Sequence, residues 1–214
     1  MTGVQGGLST FSEEEQGILQ EVMNISFGKA VSELSEIIDA FITLGVPDVC
    51  LVPSEDFQDY LTHQIHIAHP YHGIEQSFSG KLNGHVFMVF PEGSEKRLAA
   101  LLGDQSRDMV FEEAERLEKE ALIEIGNILM GACVGKLVTV LNETVSFSPP
   151  RLEMAWSPSW QMPLNFIRKE GAVLSVKTQF DFLEKEINGY FFLITNEASI
   201  PWFKKALSSF LEQF

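Results

Sequence analysis

The 214-residue chain is 45% hydrophobic, enough to bury one sizeable core, and its 30 acidic against 15 basic side chains give a formal charge of −15. That charge repels nucleic acid and anionic lipid and favours a partner with a basic or mixed face. No run of 18 apolar residues occurs, and MTGVQGGLST has neither the basic residues nor the apolar stretch of a secretory signal, so a cytoplasmic protein is expected, without membrane or nucleic acid as partner.

In chain order the first element is a helix. SEEE sets Ser12 as N-cap with Glu15 three residues on, and its acidic first turn suits the positive helix end. The helix is expected to run from Ser12 to about Phe41. Leu19, Met23, Phe27, Ala30, Leu34, Ile37 and Phe41 fall on one buried stripe, with Glu21, Asn24, Gly28, Ser32 and Ser35 roughly opposite. Pro47 marks the entry to an extended region. HQIHIAHPYH then places His63, His66, His69 and His72 at a period of three. On a strand that period alternates faces and puts His63 and His69 roughly 20 Å apart, too far to share an ion, so a surface or dimer-edge strand is expected rather than a metal site. Asn-Gly at 83–84 favours a type I′ turn between strands over 77–82 and 85–90, and a helix over 94–102 closes the half.

After a short junction near QSRD (105–108), the pattern returns. A helix from about Phe111 to Leu141 has Leu122, Met130, Cys133, Leu137 and Val140 on its apolar stripe and Glu120, Glu124, Asn127, Gly131 and Gly135 opposite. Trp156 and Trp160 in MAWSPSW read as cover for a core edge. Asn-Gly at 188–189 predicts a second turn, between 179–187 and 190–195, and a helix over 200–214 carries Phe203, Ala206, Leu207, Phe210 and Leu211 on one stripe. Cys50 and Cys133 have no ligand-type spacing and read as core residues.

The two halves are copies. Glu21 and Glu124, Asn24 and Asn127, and Pro47 and Pro150 each stand 103 residues apart, and the Asn-Gly pairs stand 105 apart. The expected fold is α/β (α+β), internally duplicated: one domain of two repeats, about 12–104 and 111–214, related by a pseudo-two-fold axis and sharing a sheet.

EVMN (21–24) and EIGN (124–127) place a carboxylate and a carboxamide three residues apart on outward helix faces. A single such pair is ordinarily solvated polar surface. Recurrence at the offset of the core pattern argues for use, because Asn is a mediocre helix former. A carboxamide is a poor acid, base or nucleophile but a good positioner, with one acceptor and two donors in a fixed plane. A GTPase glutamine orients a water toward a phosphoryl group in this way. The Glu would anchor a cation on the partner, so that each pair completes another protein's active site. Small neighbours such as Gly28 and Gly131 keep the surface low for such an approach.

EVMNISFGKAVSELSEII and EIGNILMGACVGKLVTVL, each with a Pro 23 positions after its Asn, resemble the CheC/CheX/FliY family of chemotaxis phosphatases. Two motifs without a FliN-like extension resemble CheC most. The resemblance implies a CheC-like fold, with two long helices packed on a largely antiparallel sheet. It also implies hydrolysis of the aspartyl phosphate of a CheY-like response regulator. Glu21 and Glu124 would then meet the regulator's lysine, and Asn24 and Asn127 would orient the water. No cofactor is implied in this chain, Mg²⁺ belonging to the regulator, and a CheD-like protein is a further implied partner to which no residue is assigned. Where the family pattern has Asp or Ser, four residues before each Glu, this chain has Gly17 and Glu120, which weakens the first site.

A non-catalytic module that sequesters the regulator or binds a CheD-like protein is the alternative. A carboxylate-pair glycosidase is excluded, since each motif pairs an acid with an amide. No Gly-rich phosphate loop is present.

Overall fold

The computed structural model describes residues 11–38, 40–64, 71–101, 111–153, 171–183 and 187–211. Helix α1 spans Glu13–Ile38. Its start is the expected capping box: the Glu15 N–H donates to Ser12 Oγ at 3.1 Å, and the Ser12 N–H donates to the Glu15 carboxylate at 2.7 Å. Leu19, Val22, Met23, Phe27, Ala30 and Leu34 are buried, as the stripe requires. The helix stops before Phe41, whose side chain is 57% exposed instead of buried. The Ala40 N–H reaches back to the Ser35 carbonyl and the Ile42 N–H to Ser35 Oγ, which closes the last turn and hands the buried position to Ile42. The Ile37 side chain lies outside the described residues.

Strands β1 (Ile42–Leu44) and β2 (Asp48–Pro53) follow, broken at Pro47, then helix α2 (Phe57–Gln64), the hairpin β3 (Tyr71–Gly80) and β4 (Gly84–Pro91), and helix α3 (Ser94–Leu101). The second repeat supplies helix α4 (Phe111–Val140), β5 (Val145–Phe147), β6 (Arg151–Glu153), the hairpin β7 (Ala172–Phe182) and β8 (Ile187–Asn196), and helix α5 (Ile200–Leu211). The histidine stretch is not one strand: His63 ends α2 and His72 lies on β3, while His66 and His69 fall outside the described residues, as do 105–108, Trp156, Trp160 and 212–214. Among the described residues no cluster of His, Cys, Asp or Glu could hold a metal ion.

All strands join one antiparallel sheet, ordered β1-β7-β8-β4-β3-β5, with β2 continuing beside β7 and β6 beside β3. The strands that follow each long helix therefore pair with the other repeat's hairpin: β1 and β2 with β7, β5 and β6 with β3. The hairpins meet at β4 and β8, where Phe87 pairs with Phe192, two residues at equivalent repeat positions. This pair lies on the pseudo-two-fold axis.

The main core lies between the sheet and the long helices, where Phe27 packs edge-on to Phe191 at 5.0 Å and Leu129, Met130 and Leu137 are buried. Each such side chain contributes roughly 2 kcal/mol by burial. A smaller cluster of Val52, Phe57, Leu61, Phe87 and Phe192 fills the opposite face of the sheet beneath α2. By length and composition α4 could cross a bilayer, but over half of its most apolar stretch is buried inside this fold. Cys133 sits in the main core and Cys50 at the margin of the smaller cluster; desolvation raises both thiol pKa values.

The Asn-Gly pairs do not form type I′ turns. That turn needs positive φ at both residues, and none of Asn83, Gly84, Asn188 and Gly189 has it. Gly84 lies in β4 opposite Phe78, and Gly189 in β8 opposite Phe180. A Cβ at Gly84 would collide with the Ile194 carbonyl and stand 2.7 Å from Phe78 Cζ, and one at Gly189 would meet the Val89 carbonyl and the Phe180 ring. These glycines are required by the aromatic ring across the ladder, not by the turn.

Candidate functional site

Glu21 and Asn24 project from the exposed side of α1, one turn apart and so roughly 5–6 Å between Cβ atoms. Neither makes a hydrogen bond or ion pair to another described residue. Gln20 Nε2 donates to the Pro47 carbonyl at 2.7 Å, drawing the break between β1 and β2 against the helical turn that carries Glu21. Thus Glu21, Asn24 and Pro47, dispersed over 27 residues, are gathered at one place. Beyond Asn24 a groove of about 720 Å³ runs between α1 and β1, lined among others by Gly28, Ser32, Ser35, Phe41 and Leu44. A Cβ at Gly17 or Gly28 would meet nothing within 4 Å, so both leave open surface.

On α4 Glu124 is exposed as expected, but Asn127 is only half-exposed. Its Oδ1 accepts a 2.9 Å hydrogen bond from Gln76 Nε2, on the inner face of β3. The same Nε2 donates to the Ser148 carbonyl at 2.9 Å, and Gln76 is 3% exposed. Gly126 permits this proximity: a Cβ there would stand 2.5 Å from Ile74 Cδ1 on β3. Glu120 pairs with Arg116 at 3.1 Å along the helix surface.

The structure thus places all four expected residues on the outer faces of the two long helices, with one of them tied inward. Gln76 escaped the sequence reading because its partner lies 51 residues away and no periodicity marks it. The signal that could have found it is the repeat itself. On β3 and β7 the repeats are offset by 102 residues, as Phe78 opposite Gly84 matches Phe180 opposite Gly189, so Thr178 stands where Gln76 does.

Residues 14–51, which hold Glu21, Asn24 and Pro47, match the model of the CheC-like family. That stretch is similar to the CheC-like family. The chain is 24% identical over 143 residues to the flagellar motor switch phosphatase FliY of Bacillus subtilis and 26% identical over 143 residues to the CheY-P phosphatase CheC of the same organism, the match to FliY being the stronger. These alignments take in 67% and 66% of this chain, and 36% of FliY and 67% of CheC, so the chain spans about a third of the length of that FliY.

Thermotoga maritima FliY shares the CheC-like fold with a TM-score of 0.69 at 21% identity, over 96% of this chain and 100% of that chain. CheX in the CheX-CheY-BeF3-Mg complex from Borrelia burgdorferi shares it more distantly, with a TM-score of 0.50 at 16% identity over 81% of this chain and 98% of that one.

Proposed function

We propose that this chain hydrolyses the aspartyl phosphate of a CheY-like response regulator. The observation that carries the reading is the recurrence of one Glu/Asn pair on the outer face of two helices related by the internal two-fold. The names of the Bacillus subtilis relatives and the content of the CheX complex support the same substrate class.

In the proposed reaction a water attacks phosphorus in line, the bond between phosphorus and the aspartyl oxygen breaks, and the products are a carboxylate and inorganic phosphate. The regulator supplies Mg²⁺ and a lysine to neutralise the phosphoryl oxygens. This chain supplies position. The Asn Oδ1 accepts a hydrogen bond from the water, holding its lone pair toward phosphorus, and the Glu one turn earlier pairs with a cation on the regulator. Such orientation is worth several powers of ten in rate, each about 1.4 kcal/mol of barrier. Exposure of Glu21, Asn24 and Glu124 suits insertion into a partner's cleft.

The test is the decay of a phosphorylated CheY-like regulator with Mg²⁺ and catalytic amounts of wild type or of Asn24→Ala/Asn127→Ala. Many-fold acceleration by wild type and none by the double variant, with regulator binding kept, is the expected result. Binding lost together with turnover would identify a docking module instead, and unchanged decay across several regulators would end the phosphatase reading.

A further inference from the structure

The two Glu/Asn faces are built on the same plan but closed differently. In the first repeat, Thr178 Oγ1 donates to the Gly45 carbonyl at 2.7 Å, and the Gly45 N–H donates to the Gln179 carbonyl at 2.8 Å. In the second, Gln76 Nε2 donates to the Ser148 carbonyl at 2.9 Å, and the Ser148 N–H donates to the Ser77 carbonyl at 2.9 Å. Gly45 and Ser148 are 103 residues apart, Thr178 and Gln76 are 102 apart, and both sheet residues are buried. The buried side chain therefore has one shared task, to hold the loop before the motif proline. Threonine is long enough for that alone. Glutamine reaches further, and its second contact is Asn127.

The helices reinforce the difference. Position 126 is Gly, which seats α4 closely on β3, whereas α1 carries the fully buried Met23 at the equivalent position. Asn127 is thus brought within reach of the sheet, and Asn24 has neither the approach nor a donor of sufficient length.

Resting on the reading of the two asparagines as water-positioning groups, we infer that Gln76 latches Asn127 inward and that Thr178 leaves Asn24 free, making the first site the open one. The chemistry gives the direction. A water about to attack phosphorus must give a proton to an acceptor and keep its lone pair for the attack. With Oδ1 turned to Gln76, Asn127 presents its Nδ2–H donors outward, and these would occupy the lone pair that is needed. Gln76 Oε1, buried and without a partner, shows that the amide is held for its donors even with its acceptor unused. Gln76 is a positioning residue that acts through Asn127. The sequence alone pointed the other way, because Gly17 made the first site look deficient.

The test has two arms on the full chain. In the phospho-regulator assay, Gln76→Thr added to Asn24→Ala should raise turnover roughly threefold to tenfold, the factor that releasing one neutral hydrogen bond allows. A gain of activity is a readout that structural damage does not give. Turnover that falls or stays level with Gln76→Thr would overturn the proposal, as would a larger loss of wild-type turnover from Asn127→Ala than from Asn24→Ala.

The second arm needs no substrate. By NMR of side-chain amides, the Asn127 carboxamide should be more rigid than that of Asn24 and should lose this rigidity in Gln76→Thr; equal mobility of the two would refute the latch. If wild type acts on no regulator yet this difference is seen, the phosphatase reading falls and the latch stands.

Discussion

Lys204 of α5 reaches Glu15 in the first turn of α1 at 2.9 Å, tying the last helix of the second repeat to the first helix of the first. Hydrogen bonding from Lys204 and then from the Ser12 N–H lowers the Glu15 pKa below its ordinary 4.5. A carboxylate with a depressed folded-state pKa adds stability above its unfolded pKa, and that stability is lost as pH falls through the folded value. Lys204→Met should therefore lower the melting temperature by about 1–3 °C at pH 7, as a partly exposed pair allows. The difference should shrink as pH falls below 4.5 and through the lower folded value, and a gap that did not change with falling pH would place the effect elsewhere. Thermal melts across that range decide.

Gly84→Ala and Gly189→Ala should each cost about 1–3 kcal/mol or more, because the added carbon meets a carbonyl and a phenylalanine ring. Gly28→Ala, on open helix surface, should instead add about 0.5–1 kcal/mol. Denaturant unfolding of the three variants would show opposite signs. A gain at all three would mean that the glycines act through backbone freedom alone.

Charge reversal at Glu21 and Glu124 addresses the partner. Both carboxylates face solvent. The double Glu→Lys variant should keep its fold and bind a phosphorylated CheY-like regulator at least about tenfold more weakly, with a reduced salt dependence. Titration at two ionic strengths measures both, and unaltered affinity would remove these residues from the interface.

Neither repeat should fold as a monomer. A chain of residues 1–104 would leave β1 and β2 without the hairpin they pair with, and one of 111–214 would leave β5 and β6 likewise. Exposed edges and half a core leave too little burial to offset chain entropy. Cooperative melting should appear only in species that sediment as dimers, and a monomeric half with a concentration-independent melting temperature would contradict this.

What could be read from the sequence was local or repeated. The capping box at Ser12 is written in four consecutive residues, and the stripe from Leu19 to Leu34 follows from helical period. The duplication is visible because identical spacings are improbable by chance. The exchange of strands between repeats was not legible, since β1 could as well have joined its own repeat's hairpin and only packing chooses. Asn-Gly misled because turn propensity and the need for a bare Cα beneath an aromatic ring leave the same letters in the sequence. Of the site, Glu21, Asn24, Glu124 and Asn127 lie on the outer helix faces as expected. Gln76 was invisible, because its meaning depends on how closely Gly126 lets a helix approach a strand.

The exchange of strands has an evolutionary consequence. A protein with one such repeat would have to complete its sheet with a second copy of itself, and every mutation would then appear on both sides. Joining the repeats in one chain makes assembly independent of concentration, and it also gives each half its own history. Gln76 opposite Thr178 and Gly126 opposite Met23 are differences that identical subunits could never have acquired. Tandem duplication turned a symmetric pair of surfaces into two that selection can tune separately.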